Sequence, residues 1–312
     1  MEDWVQEALQ GNRRAVAKLI THIENDSSEK LSILKRIFPH TGNGYILGIT
    51  GCPGAGKSSL VDSITREIRK RDLTVGIIAV DPSSPFTGGA LLGDRIRMQD
   101  HCLDKGVFIR SMGTRGNLGG LARATKEVVR VLDAFGCDVV IVETVGVGQS
   151  ELDIMKIADS TLVVLTPGAG DHVQTIKAGI MEIADIFVIN KSDLPGAERT
   201  ASEVNSMLDL SCHGDGWRPP VVSTITLKEQ GISELCDQID KHKEFLIKSA
   251  NFQKFREKRL QQEVLETVDH VLKNKIQKSL EERSDIKNLI EKVIVRELDP
   301  YEAAEEIIAL GI

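Results

Sequence analysis

Two hydrophobic rhythms alternate along this chain. Near-continuous apolar runs, the pattern of strands buried on both faces, occur at 45–50, 75–81, 107–109, 138–142, 160–166, 186–189 and 221–224. Between them, apolar residues recur at helical spacing, as at Leu60, Val61, Ile64 and Ile68 within 59–70. Similar spacing marks 121–135, 173–183, 195–210 and the stretch from Ile232 onward. Ser111–Gly120, with its four glycines, reads as a loop. Strands alternating with helices predict an α/β fold with a mostly parallel sheet and right-handed crossovers.

The flanks lack strands. Residues 3–38 predict three short helices: one with Val5, Ala8 and Leu9, one capped by Asn12 with Val16, Leu19, Ile20 and Ile23, and one over 29–38. From about Phe245 the pattern becomes long and charged. Leu260, Val264, Leu265, Val268, Val271, Leu272, Ile276 and Leu280 share a broad apolar face. A further helix is expected over 284–298, and a last one is capped by Asp299 with Pro300 in its first position and Glu302 placed for a capping box. The division expected is 1–42 as an N-terminal helical extension, 43–244 as the α/β domain and 245–312 as a C-terminal helical arm. An apolar face on such an arm covers either its own α/β domain or a second copy; a homodimer through the arm is favoured.

Composition narrows the classes. Apolar residues make up 41% of the 312 positions, enough for a sizeable core. The net charge of −7 argues against general nucleic-acid binding. Cys52, Cys102, Cys137, Cys212 and Cys236 form no close pair, so no zinc knuckle or disulfide framework is indicated and a reduced cytoplasm fits. No stretch approaches the length of a membrane span, and the acidic start has no apolar signal core. His101 and His172 have no ligand-spaced partners.

The strongest chemical signal is Gly51-Cys52-Pro53-Gly54-Ala55-Gly56-Lys57-Ser58, set between an expected strand and an expected helix. Strand, Gly-rich loop and helix form the context of a phosphate-binding loop. Backbone amides and the helix N-terminus would cradle phosphate oxygens. Lys57 would reach the β- and γ-phosphates, the Ser58 hydroxyl would bind Mg²⁺, and Ser59 joins the nucleotide contacts. After another apolar run come Asn190-Lys191-Ser192-Asp193. The Asp193 carboxylate would accept guanine N1–H and N2–H₂, donors that adenine lacks there, while Asn190 and Lys191 brace the loop; GTP over ATP follows. Glu143-Thr144-Val145-Gly146 follows a strand as Asp-x-x-Gly does in many GTPases, with Glu143 for the metal and the Gly146 amide for the γ-phosphate. Val147 stands where Ras-like proteins have a water-orienting Gln, and Gln149 lies two further on. Slow intrinsic hydrolysis, raised by a partner, is therefore expected. Asp81 and Asp94 lie in or beside a long loop at a strand's carboxyl end, with capping as the plainer alternative. Asp171 and Lys177 belong to the same rim.

Together with Val80-Asp81-Pro82-Ser83-Ser84, Gly88-Gly89, Leu92-Gly93-Asp94, Glu143 to Ser150 and Pro167-Gly168-Ala169-Gly170-Asp171, these motifs resemble the MeaB/ArgK-type GTPases associated with methylmalonyl-CoA mutase. The resemblance covers nearly the whole length. It implies a P-loop G domain of the SIMIBI type with helical extensions, a homodimer, and a chaperone that gates adenosylcobalamin loading and protects or reactivates a coenzyme B12-dependent acyl-CoA mutase. It places Asp81, Asp94 and Glu143 among metal and switch residues, and 171–177 in a switch loop that signals to the mutase. The last guanine loop departs from the family's frequent Ser-Ala: here it reads Ile225-Thr226-Leu227. The competing readings are a transport-type kinase, which needs an acceptor pocket and a base, and a nickel-type metallochaperone, which needs Cys/His clusters.

Overall fold

The computed structural model describes residues 3–81, 101, 103–113, 118–144, 153–168, 183–210, 216–249 and 251–310, apart from the side chains of Asp81, 118–123, 251 and 281. The chain forms two compact units, Met1–Ser249 and Ala250–Ile312.

In the first unit, β1 (Tyr45–Gly51), β2 (Val75–Asp81), β3 (Val107–Gly113), β4 (Val139–Glu143), β5 (Ser160–Leu165), β6 (Ile186–Asn190) and β7 (Val221–Thr224) build one seven-stranded sheet in the order β3-β2-β4-β1-β5-β6-β7. Every ladder is parallel. β4, β5 and β6 are buried at every position, as strands covered on both faces must be. The chain runs from β1 outward to β2 and β3, returns to β4, then crosses to β5 on the far side of β1. The carboxyl end of β1 therefore lies where the strand order reverses, the place at which open α/β sheets receive ligands.

β3 extends well beyond the expected 107–109. It stays in register with β2 through Ser111 opposite Ala79 and Gly113 opposite Asp81. It is an edge strand with half-buried Ile109, Arg110 and Ser111, so its hydropathy is too weak to mark its length. The helix after it, α5, spans Leu118–Ala134, and α6 follows β6 over Ala197–Leu210.

The N-terminal helices α1 (Trp4–Leu9), α2 (Arg13–Glu24) and α3 (Lys30–Ile37) belong to this unit. Asn12 caps α2 by accepting from the Arg14 and Ala15 amides. Val16, Leu19, Ile20 and Ile23 are buried in the same core as Ile78 of β2 and Val128 and Leu132 of α5. The Arg13 guanidinium donates to the carbonyls of Asp104, Lys105 and Val107, and Arg110 pairs with Glu24. These contacts fasten the helices to the sheet edge.

At the amino end of the sheet, α7 (Ile232–Lys248) brings His242 onto β1 and β5. The Tyr45 hydroxyl bonds to Ser160 Oγ, which lies 2.5 Å from His242 Nδ1. His242 Nε2 faces Asp185 Oδ1 at 3.4 Å, Asp159 is nearby, and the Trp217 ring lies 4.8 Å from the imidazole. The ring is 2% exposed, and burial pushes its pKa down to about 4. An unfolded His titrates near 6.5, so the unfolded chain binds the extra proton first. The stabilisation is present above pH 6.5 and is lost as pH falls toward 4. Between pH 7 and 4.5 this single group accounts for roughly 2 to 3 kcal/mol. Urea midpoints of the protein should drop more over that interval than those of His242→Gln; equal drops would contradict this reading.

In the second unit, α8 (Asn251–Glu282) is about 48 Å long and is followed by α9 (Ser284–Ile294) and α10 (Pro300–Ala309). Among its described residues, Ile286, Leu289 and Ala303 are the buried apolar ones. α9 stops short of the expected Leu298. Arg296 takes a left-handed φ of 64°, the Arg296 amide bonds to Val293 O, and the Glu297 amide bonds to Lys292 O. This is a Schellman stop with arginine where glycine is usual. Asp299 caps α10 through the Tyr301 and Glu302 amides, as the sequence predicts. Along α8, Leu260, Val264, Leu265, Val268, Val271 and Leu272 are exposed within this unit. Among the described residues, no helix is long and apolar enough to cross a membrane.

Candidate nucleotide-binding site

β1 ends in Gly51, whose φ of 137° and close approach to the Val164 carbonyl leave no room for a Cβ. The loop then turns through Cys52–Gly56, closed by the Ala55 amide on Cys52 O at 3.1 Å. Gly56, at φ 88°, is the N-cap of α4 (Lys57–Arg69), and a Cβ there would land on the Asn190 side chain. The helix begins at Lys57, two residues before the expected start at 59, because the glycine loop itself supplies the cap.

Lys57 and Ser58 thus occupy the first turn. The Lys57 ammonium folds back over the loop, donating to Gly51 O at 2.7 Å and Cys52 O at 3.1 Å, and is 7% exposed. Ser58 Oγ donates to Glu143 Oε1 at 2.7 Å, with both residues buried. Glu143 closes β4, next to β1, so adjacent strand ends bring these two oxygens together. The Thr144 hydroxyl donates to Thr50 Oγ1 at 2.8 Å, locking the two strand exits. An alcohol and a carboxylate oxygen form a hard donor pair that fits Mg²⁺.

The second loop leaves β6. Asn190, 2% exposed, donates to the Ala55 carbonyl at 2.8 Å and accepts the hydroxyls of Thr224 at 3.2 Å and Thr226 at 2.5 Å. Lys191, with φ 56°, lays its ammonium on the Gly54 carbonyl at 2.8 Å. One asparagine and one lysine therefore join three loops: 51–58, 190–193 and 225–227. The Asp193 carboxylate is half-exposed and lies 3.7 Å from Lys228 Nζ. Ile225 pairs with Gln230 across the neck of the third loop, while Leu227 stands 93% exposed at its tip.

The structure brings together Gly51 to Ser59, Glu143, Asn190, Lys191, Asp193 and Ile225 to Leu227. Asp81 ends β2 opposite Gly113, with its side chain outside the described residues. Asp94, Gly146, Gln149, Asp171 and Lys177 also lie outside the described residues. Reading by motif missed Thr50, Thr144 and Thr224. All three are polar residues at the ends of apolar strands, which was the available signal. Thr226, expected in the last guanine loop, also holds Asn190 through its hydroxyl.

Further down α4, Asp62 faces the buried His101 at 2.9 Å and also pairs with Arg66, whose other nitrogen reaches Glu229. The Asp62 carboxylate raises the His101 pKa, so this tie is strongest at low pH and weakens as pH rises through the raised value.

Comparison with known proteins agrees with this geometry. A relative in Pyrococcus abyssi (strain GE5 / Orsay) is 53% identical over 311 residues, covering 99% of this chain and 96% of that one. GTPase ArgK of Escherichia coli (strain K12) is 38% identical over 263 residues, covering 81% of this chain and 79% of that protein. The crystal structure of an LAO/AO transport system kinase superposes with a TM-score of 0.72 at 27% identity, covering 99% and 96% of the two chains. Residues 16–281 match the family described as methylmalonyl-CoA mutase-associated GTPase MeaB. The chain therefore belongs to the MeaB family of P-loop GTPases.

Proposed function

We propose that this chain binds GTP and GDP with Mg²⁺, hydrolyses GTP slowly on its own, and acts as a chaperone of a coenzyme B12-dependent acyl-CoA mutase. In that role it gates adenosylcobalamin loading and protects or reactivates the mutase. The observation that carries the nucleotide reading is Asn190, which ties the phosphate loop at Ala55 to the purine loop at Thr226. Ser58 and Glu143 would hold Mg²⁺, with Asp81 and Asp94 as further donors. The ion, when bound, neutralises charge between the β- and γ-phosphates. Lys57 binds the phosphates, and Asp193 selects the purine. Gly146, Gln149, Lys177 and Asp171 are the proposed switch positions through which a partner raises the rate.

The family's name supports the mutase as partner, as does a Caenorhabditis elegans relative named methylmalonic aciduria type A homolog, mitochondrial, 34% identical over 250 residues. The exposed apolar stripe of α8 supports a second copy of this chain as what covers the arm. A cytoplasmic place, away from nucleic acid and membrane, completes the proposal. The solved relative's name favours a kinase as the second reading.

One mixture separates them. GTP hydrolysis is measured alone and with candidate acyl-CoA mutases, each charged with adenosylcobalamin. Acceleration by a mutase of at least about tenfold supports the chaperone. Phosphate appearing on a protein or small acceptor, with no acceleration, supports the kinase and overturns it. Light scattering on the same samples should give a two-subunit mass at micromolar concentration; a one-subunit mass would contradict the dimer.

A further inference from the structure

The purine loop is held from two sides, and only one is explained by the nucleotide motifs. Residues 225–230 form a small closed loop: the Ile225 amide bonds to Gln230 O at 3.0 Å, and the Gln230 amide bonds back to Ile225 O at 3.3 Å. Its tip is a single turn, Thr226–Lys228, ended by Glu229 in the left-handed region at φ 55°. On the inner side, the Thr226 hydroxyl bonds to Asn190. On the outer side, the Glu229 carboxylate takes one nitrogen of Arg66. The other nitrogen of Arg66 bonds to Asp62, which the buried His101 also engages. Asp62 and His101 thus hold the guanidinium in place from behind. Arg66 sits eight residues, about 12 Å, along α4 from Ser58. One rigid helix therefore carries the phosphate contacts at its start and a grip on the purine loop farther along.

We propose that the Arg66–Glu229 pair is a positioning element for guanine, fixing the 225–229 loop at a set distance from the phosphate loop. This rests on the GTP-binding reading above. Neither residue touches the reacting atoms. Their contribution is to the affinity for the whole nucleotide, and not to the phosphate end or the hydrolytic step.

The test is binding of fluorescent GDP, with pyrophosphate as competitor, to the full-length protein and to Arg66→Ala, Glu229→Ala and the double variant. The pair is part-exposed, so the GDP Kd should rise roughly three- to fivefold in each single variant. It should rise no further in the double variant, and the pyrophosphate Ki should stay within about twofold of wild type. Single-turnover kcat should also be unchanged. Glu229→Gly, which relaxes the left-handed backbone, should lose the same affinity as Glu229→Ala. Wild type that binds GDP while the variants bind equally well would overturn this inference alone. So would additive losses, or a pyrophosphate Ki that rises with the GDP Kd. Wild type that fails to bind GDP would overturn the nucleotide reading as well.

Discussion

Lys57→Ala should lower kcat/KM for GTP hydrolysis by at least about a hundredfold, with thermal unfolding showing the fold intact. Two physical losses combine. The ammonium is the positive group in the first turn of α4, and nothing else in the loop replaces its attraction for the β- and γ-phosphates. It also holds the loop's own shape, since Lys57 donates to the Gly51 and Cys52 carbonyls that bracket the glycine turn. A bound triphosphate would draw the ammonium from these two carbonyls to its own oxygens. Lys57→Arg should fail nearly as badly. A planar guanidinium is wider than an ammonium, and the lysine sits in a slot that leaves it only 7% exposed. Activity of either variant within about tenfold of wild type would remove Lys57 from the transition state.

Asp193→Asn changes which purine is bound. The carboxylate offers two acceptors, and guanine presents two donors, N1–H and N2–H₂. The amide keeps one acceptor and sets its own NH₂ against a guanine donor. A site built around a hydrogen-bonded group discriminates strongly when one partner becomes unpaired, so GDP affinity should fall roughly a hundredfold or more. Xanthine carries an oxygen where guanine carries the 2-amino group, so XDP should bind the variant better than GDP does. Asp193 lies near only one cation, Lys228 at 3.7 Å, in the contacts described, and is half-exposed, so the substitution leaves the fold unstrained. Unchanged GDP affinity would show that the carboxylate does not reach the base.

What could be read in advance from the chain has a physical pattern. The two nucleotide motifs are contiguous peptides at strand ends, so spacing and flanking hydropathy expose them. Strands β1, β4, β5 and β6 announce themselves because they are buried at nearly every position and apolar or small up to their carboxyl ends, where Glu143 and Asn190 stand. β3 does not, because an edge strand alternates weakly and Arg110 serves Glu24 on α2. The stop after α9 was hidden because arginine takes a backbone conformation normally marked by glycine. Contacts between distant residues were hidden for a different reason. Ser58 with Glu143, Asn190 with Ala55 and Thr226, and His242 with Ser160 meet only once the strand order places their elements side by side. A single chain carries no local trace of that order.

A guanine nucleotide would bridge the Lys57 loop and the Asp193 loop, and every proposed role of this chain depends on that bridge. Competition titration of GTP against ATP on the wild-type protein, at saturating Mg²⁺, tests this directly. GTP should be preferred by at least about a hundredfold. Equal affinity for the two nucleotides would contradict it.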